Sequence, residues 1–427
     1  MSCNGDCSNC KMGMTPTHLG LSNEVEGKNL PIIDGGFLIV TEKCSLACTY
    51  CFVNQHARDM TLEVALDAID YLYMNQENHN RALSINFFGG EPLLRWDDIC
   101  VPCIEYAKKK KYNVRWGITT NGVALTEERL KYMKEHNVGL LFSIDGAERT
   151  QDLNRPFHSG KGSSSHVNTK IPMLLKYYPN ATFRSTIAHD TVQYTYENMM
   201  YAIEKGYKDL FNIPNVFADW TEEQVKTLKE QMRMFSDYYI NEFKQNRLPI
   251  TYKPYERMFP VLLEINYNDR TGRHRPYKKF EQRGLSKCGV GGSRFVSIGV
   301  DGELYTCQEL VTDHSPNNKF HIGNIYDGID EEKRLALVNS FEKAKVKGIG
   351  MNCNECRYNN VCDGGCVANN YIANDDVNVM CKMYCIWQQI LIDECEYICK
   401  ELGESKNELF KQKFFVKGGD RNGKKNN

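Results

Sequence analysis

Between Phe37 and Val216 the chain alternates short runs of β-branched and aromatic residues with stretches whose apolar positions recur at helical spacing. The strand-like runs are 37–40 (FLIV), 83–88 (LSINFF), 114–119 (VRWGIT), 139–144 (GLLFSI), 181–187 (ATFRSTI) and 210–216 (LFNIPNV). In the intervening 61–76 segment, Leu62, Ala65, Leu66, Ile69 and Leu72 fall on one face. Strands separated by helices of that length pair in parallel through crossovers. Six repeats therefore predict an α/β fold, a partial (β/α)6 barrel, with functional groups gathered at the carboxyl ends of its strands.

A charged helix is expected from Thr221 to Lys244, after which Pro249, Pro254, Pro260 and Pro276 mark an irregular stretch and a domain boundary. The expected organisation is an N-terminal extension (1–36), the barrel (37–245), a linker (246–287), a second, cysteine-rich domain (288–400) and a polar tail (401–427). Within the linker, 270–287 carries seven Lys or Arg against the single acid Glu281. It reads first as a solvated connection, and alternatively as a contact for an acidic peptide. Residues 416–427 lack apolar anchors and are expected to be disordered.

With 53 Lys and Arg against 54 Asp and Glu, the net charge of −1 gives no electrostatic case for nucleic acid or an anionic membrane. No apolar run approaches the roughly 18 residues of a membrane span, and the opening MSCNGDCSNC is polar where a signal peptide is apolar. The reading is a soluble cytoplasmic protein with no nucleic-acid or membrane partner. Eighteen cysteines change the picture, because spaced thiols in a reducing compartment hold metal or do redox chemistry.

Cys44, Cys48 and Cys51 have the spacing CxxxCxxC just past the first strand. Three thiolates on a tight loop can hold three irons of a 4Fe-4S cluster and leave the fourth for an exogenous ligand; zinc is the alternative. Gly89, Gly90, Glu91 and Pro92 follow the second strand, where glycines let the backbone approach a ligand, or simply turn the chain into a helix. Thr119-Thr120-Asn121-Gly122 follows the third strand, and Ser143-Ile144-Asp145-Gly146 ends the fourth. In this order the residues resemble the radical S-adenosylmethionine family, whose fingerprint CxxxCx(aromatic)C has Tyr50 here in the aromatic place. The resemblance implies a cluster on Cys44, Cys48 and Cys51 that binds S-adenosylmethionine, with Gly89, Gly90, Glu91 and Pro92 meeting the amino group of its methionine moiety. By the same resemblance Tyr50, Asn121 and Asp145 belong to the cofactor site and Ser143 contacts the ribose. Arg184 would pair with the methionine carboxylate, although a lone strand arginine is more often a surface ion pair.

A second constellation runs C-x13-G-x4-C from Cys288 through Gly302 to Cys307, then CxxC-x5-C-x3-C at Cys353, Cys356, Cys362 and Cys366, then Cys381. Two zinc ribbons could use such spacings, but the pattern resembles the SPASM extension of radical S-adenosylmethionine enzymes that modify peptides. That resemblance implies a SPASM domain with two auxiliary 4Fe-4S clusters, three clusters in all. By position, Cys353, Cys356, Cys362 and Cys381 would hold the distal one, and Cys288, Cys307 and Cys366 the nearer one. Sulfatase-maturating relatives carry a further cysteine where Arg294 stands. The nearer cluster is thus expected to have an iron without a protein thiolate, unless Cys385 supplies it. Those relatives also place an Asp base where Gln308 stands. An amide cannot accept a proton, which leaves Glu309 as the candidate catalytic carboxylate.

Cys3, Cys7 and Cys10 repeat the CxxxCxxC spacing with no strand before them, and read as a further metal site or an unligated tail. Cys100 with Cys103, and Cys395 with Cys399, sit at helical spacing and read as core thiols. Lys108 to Lys111 read as a helix end, and residues 160–164 (GKGSS) as a loop entering a helix.

The family chemistry implies a 5′-deoxyadenosyl radical that abstracts hydrogen, and auxiliary clusters suit a net oxidation. The expected function is oxidative modification of a ribosomally made peptide by a thioether bond between a cysteine sulfur and a carbon, as in sactipeptides and ranthipeptides. Sulfatase maturation, Cys or Ser to formylglycine, is the alternative enzyme, and an iron-sulfur electron carrier the alternative of another class. Implied partners are a cysteine-containing precursor peptide and an electron donor such as flavodoxin or ferredoxin. With 36 residues before the first strand, a separate leader-binding protein or the basic 270–287 segment is expected to engage the leader.

Overall fold

The computed structural model describes residues 32–271, 288–291, 294–314, 318–342, 345–350, 352–362, 364–403 and 407–414, and the backbone of 24–25 and 28–29; side chains of 266–271 are not included. The Cys3/Cys7/Cys10 triplet, nearly all of the basic 270–287 segment and the 416–427 end lie outside the described residues.

All six sequence-read strands form: β1 (Gly35–Thr41), β2 (Leu83–Gly89), β3 (Val114–Thr120), β4 (Gly139–Phe142), β5 (Thr182–Ile187) and β6 (Asp209–Pro214). Neighbours from β1 to β4, and β5 with β6, pair in parallel. A parallel bridge from Ser143 to Arg184 joins the two groups. Leu38, Ile39 and Val40 of β1 are at most 1 % exposed, because a parallel strand is covered on both faces and therefore reads as a continuous apolar run.

Helices α1 (Leu62–Met74), α2 (Val101–Lys110), α3 (Glu127–Glu135), α4 (Glu148–Asn154), α5 (Ile171–Tyr177), α6 (Thr195–Glu204) and α7 (Glu222–Lys244) fall between and after the strands. α1 starts where the Thr61 hydroxyl accepts the Val64 N–H, and it buries Ala65, Ala68, Ile69, Tyr71 and Leu72. Leu62, expected on that face, is exposed in the first turn. α7 starts on a reciprocal cap in which Thr221 and Gln224 satisfy each other's backbone N–H. α2 ends in Lys108, Lys109 and Lys110, and Lys111 caps it in the left-handed region at φ 60°.

The irregular linker expected from residue 246 is not what forms. Strand β7 (Thr251–Tyr252) joins β6 in parallel, and α8 (Lys253–Thr271) follows directly. Pro254 lies in the first turn, where its missing N–H has no partner to lose. Pro260 lies inside the helix. Tyr255, Phe259, Leu262 and Leu263 keep the apolar stripe buried around it, and that packing outweighs the proline.

Beyond the break, β8 (Phe295–Ile298) pairs in parallel with β1, and β9 (Glu303–Tyr305), β10 (His321–Asn324) and β11 (Gly328–Ile329) add antiparallel strands outside it. One eight-stranded sheet of order β11-β10-β9-β8-β1-β2-β3-β4 thus crosses the expected domain boundary. Arg294 closes the junction: its carbonyl accepts the Asp34 N–H at 3.0 Å and its Nε donates to the Asp34 carboxylate at 2.8 Å. Further along, Asn54 donates from both nitrogens to Thr312, and Arg58 pairs with Asp301 and Glu42. α9 (Glu331–Ser340), α10 (Val367–Asn374), α11 (Lys382–Leu402) and α12 (Glu408–Phe414) follow. α12 corrects the expected polar tail, since Phe410 and Phe414 are buried. Cys100, Cys103, Cys395 and Cys399 are buried core thiols, as read. No described helix is long and apolar enough to cross a membrane.

Phe259 is fully buried, with its ring 5.2 Å from Phe410 and 4.8 Å from Phe414. Phe259→Ala should cost about 3–5 kcal/mol of stability in urea unfolding of the cluster-free protein. Phe217→Ala, at an exposed position, should stay within about 0.5 kcal/mol.

Candidate active site and metal centres

The loop after β1 lies along residues 154–158. Ala47 N–H donates to Pro156 O at 2.8 Å, Thr49 N–H to Asn154 O at 3.0 Å, and His158 Nε2 sits 3.1 Å from Cys44 O. Leu46, fully buried, anchors this pairing opposite Phe157. Three thiols therefore stand at the carboxyl end of β1. Burial pushes the Cys44 thiol up to about 11 and Cys48 up to about 12. Neither is a thiolate at neutral pH by itself; a bound cation is what would hold them deprotonated, so the donor set fits a metal cluster.

The glycine pair at the end of β2 is dictated by space. Gly89 has φ 128°, and a Cβ there would meet Thr41 O at 2.1 Å; one at Gly90 would meet Lys43 O at 2.1 Å. The two glycines let the β2 turn rest on the loop that carries the thiols. Glu91, expected to face a ligand, points inward instead. It accepts from the Thr120 hydroxyl at 2.7 Å, Asn121 N–H at 2.7 Å and Leu93 N–H at 3.0 Å. Burial raises its carboxyl above the ordinary carboxylate value, against those hydrogen bonds. Its work is to fix Asn121, whose amide reaches the Cys44 sulfur at 3.4 Å and Ser45 Oγ at 3.2 Å.

Asp145, also expected at the ligand, is likewise turned inward at 2 % exposure. Its carboxylate accepts from Tyr50 OH, Asn154 Nδ2, Arg155 Nη2 and Thr186 N–H. These four donors fix the carboxylate in place. Ser143 and Arg184 face each other across the β4/β5 bridge. The Arg184 guanidinium lies 4.1 Å from the Phe211 ring centre, and its Nη1 is buried without a hydrogen-bond partner. Burial, and then the charge of Arg155, lower Arg184 to about 10. It is not a surface ion pair, so it is available to an anionic ligand group.

Opposite, Glu309 has a buried Oε2 without a partner. Burial raises its carboxyl to about 7, and Arg184 pulls in the other direction. Cys288, Cys307 and Cys366 lie close enough that the charge of each affects the others, and Glu309 shares that neighbourhood. Arg294 is committed to Asp34 and brings no donor there.

The distal constellation requires a correction. Cys353, Cys356, Cys362 and Cys385 line one cavity, whereas Cys381 points its thiol at Val216 O, 3.0 Å away. Gly348 leaves the room: a Cβ there would sit 3.4 Å from Cys385 Sγ and 3.6 Å from Cys353 Sγ. Cys385 therefore shares the cavity of Cys353, Cys356 and Cys362, and Cys381 does not. Cys381 and Cys385 lie one helical turn apart at the start of α11, so their spacing alone could not separate them. Arg155, which the sequence reading passed over, is held between Asp145 and Tyr50; a loop arginine carries no signal of that contact.

The family model described as "Radical SAM superfamily" matches residues 38–232. The cysteine-type anaerobic sulfatase-maturating enzyme of Clostridium perfringens is 26 % identical over 346 residues, 76 % of this chain and 85 % of that protein. An uncharacterized protein of Methanocaldococcus jannaschii, MJ0907, is 31 % identical over 176 residues; that match covers 40 % of this chain and 59 % of the length of that protein. The solved structure of native anSMEcpe with bound AdoMet and Cp18Cys peptide superimposes with a TM-score of 0.64 at 20 % identity, covering 86 % of this chain and 98 % of that one. The fold is thus shared along nearly the whole of that structure.

Replacing Cys385 by Ala should lower the bound metal of the reconstituted protein by one centre, measured by elemental analysis. Cys381→Ala should leave the metal content unchanged. The reverse pattern would restore Cys381 as the ligand.

Proposed function

Because residues 38–232 of this chain form a domain of the radical SAM superfamily, we propose that the enzyme oxidatively modifies a peptide, and that the product is a thioether between a cysteine sulfur and a carbon. The observation that carries this reading is a run of charged neighbours linking the two thiol triplets. Arg155 acts on Cys48, Arg184 on both Arg155 and Glu309, and Glu309 on Cys307 and Cys366, while Arg184 Nη1 and Glu309 Oε2 are buried without a hydrogen-bond partner. A bound 4Fe-4S cluster on the first triplet supplies the electron that splits S-adenosylmethionine into methionine and a 5′-deoxyadenosyl radical.

The remaining steps are assigned to side chains. Asn121 and the Gly89-Gly90 turn shape the floor beside Cys44, and Arg184 offers a buried guanidinium to the methionine carboxylate. Ser143, at the same strand end, is placed for the ribose. The 5′-deoxyadenosyl radical removes a hydrogen atom from a substrate carbon, and Glu309 takes the proton of the substrate thiol. Sulfur and carbon then join, and an iron-sulfur centre held by Cys288, Cys307 and Cys366 would take up the leftover electron. With an arginine at 294, these three cysteines would leave such a centre room for a substrate sulfur. A second such centre is assigned to Cys353, Cys356, Cys362 and Cys385. A low-potential flavodoxin or ferredoxin would deliver the first electron.

A second reading, maturation of a sulfatase cysteine to formylglycine, is favoured by the 26 % identity to the Clostridium perfringens enzyme across 85 % of its length. The products separate the two. A thioether blocks thiol alkylation and leaves no carbonyl, whereas formylglycine reacts with a hydrazide.

Alanine at Cys44, Cys48 and Cys51 together should abolish release of 5′-deoxyadenosine from the anaerobically reconstituted enzyme with dithionite; persistent release would end the radical reading. Glu309→Gln should keep 5′-deoxyadenosine release while modification of a cysteine-containing peptide, read by mass spectrometry, falls by about 100-fold or more. Equal loss of both would make Glu309 a structural residue rather than the base.

A further inference from the structure

We propose that Arg155 sets the reduction potential of the iron-sulfur cluster on Cys44, Cys48 and Cys51, acting as a fixed buried cation behind it; this rests on the radical reading above. The segment that carries Arg155 is strapped to the cluster loop on both sides of it. Asn154 O and Pro156 O accept the N–H groups of Thr49 and Ala47, so Arg155 lies against the stretch that holds Cys48. Its side chain cannot leave for solvent, being 8 % exposed. Nη2 donates to Asp145 at 3.0 Å, the guanidinium lies 5.4 Å from the Tyr50 ring centre, and Nε is buried with no hydrogen-bond partner. Tyr50 is the neighbour of Cys51 and two residues from Cys48.

Asp145 partly offsets this cation, so the field at the cluster is the sum of both charges. The Asp145 carboxylate also accepts from Tyr50, Asn154 and the Thr186 N–H. A guanidinium remains charged under all working conditions. In a site of low dielectric, a fixed positive charge stabilises the more negative, reduced form of a nearby cluster. An arginine that served only to hold Asp145 would need no orphan Nε and no placement along the cluster loop.

The test is an EPR-monitored redox titration of the reconstituted full-length protein. The cluster concerned is recognised as the signal that changes when S-adenosylmethionine is added. In Arg155→Met the ratio of reduced to oxidised cluster at a fixed ambient potential should fall by about tenfold. Arg155→Lys keeps the charge and should restore most of that ratio. Asp145→Asn removes the counter-charge and should shift the ratio in the opposite direction. A structural brace predicts that Arg155→Met and Asp145→Asn disturb the cluster in the same direction, or not at all, and either result overturns the proposal. If Arg155→Met does not fold, the opposite shifts of Asp145→Asn and the parent-like ratio of Arg155→Lys decide, and a parent-like Asp145→Asn overturns it. If the parent itself shows no signal responsive to S-adenosylmethionine, the radical reading fails, and this proposal with it.

Discussion

A single buried carboxylate organises the active end of the barrel. Asp145 sits where β4 gives way to its loop and receives hydrogen bonds from the cluster loop (Tyr50), from the segment strapped to it (Asn154 and Arg155) and from the backbone of β5 (Thr186). A charge removed from water is tolerated only when its hydrogen-bonding capacity is filled. The four donors therefore have to converge, and their convergence ties Asp145 to residues up to 95 positions away. Glu91 repeats the device two strands earlier, tying the end of β2 to the end of β3. The acidic residues of the motifs after β2 and β4 are thus internal pins around which the neighbouring groups are arranged.

The strands and the thiol-bearing loop were legible because their signals are local. A continuous apolar run such as 37–40 suits a covered parallel strand, the alternating 83–88 reads as a strand by its period of two, and three cysteines within eight residues lie close together on any short loop. What was not legible depends on direction. Nothing in the run GGEP says that its glutamate turns inward, nor does SIDG announce that Asp145 is saturated by its own protein. Cys381 and Cys385 share a helical face, and only the position of that helix against Val216 and Gly348 decides which thiol reaches the cavity. The proline-rich stretch misled for a related reason: Pro260 breaks a rule about isolated helices, whereas α8 is held by the aromatic residues packed around it.

Continuity of the sheet also changes what the second half of the chain is. Residues 295–329 do not form a separate body on a tether; they extend the barrel's own sheet, with Asp34 and Arg294 locked at the seam. The position of Arg294 thereby acquires a structural occupation that has nothing to do with metal, which accounts for a residue other than cysteine being stable there.

The parallel pairing of β8 with β1 matches Phe295 to Gly35 and Ile298 to Leu38. β1 runs directly into the loop that bears Cys44, and β8 runs towards the hairpin that bears Cys307. The separation between the two thiol sets is therefore a length measured in backbone hydrogen bonds. A ladder of this kind can only slip in steps of a residue, about 3.3 Å each, and an odd step turns every side chain to the opposite face. In the function proposed above, where electron passage falls off steeply with distance, this ladder serves as a gauge block: the loops can vary while the spacing between the two thiol sets stays machined into the sheet.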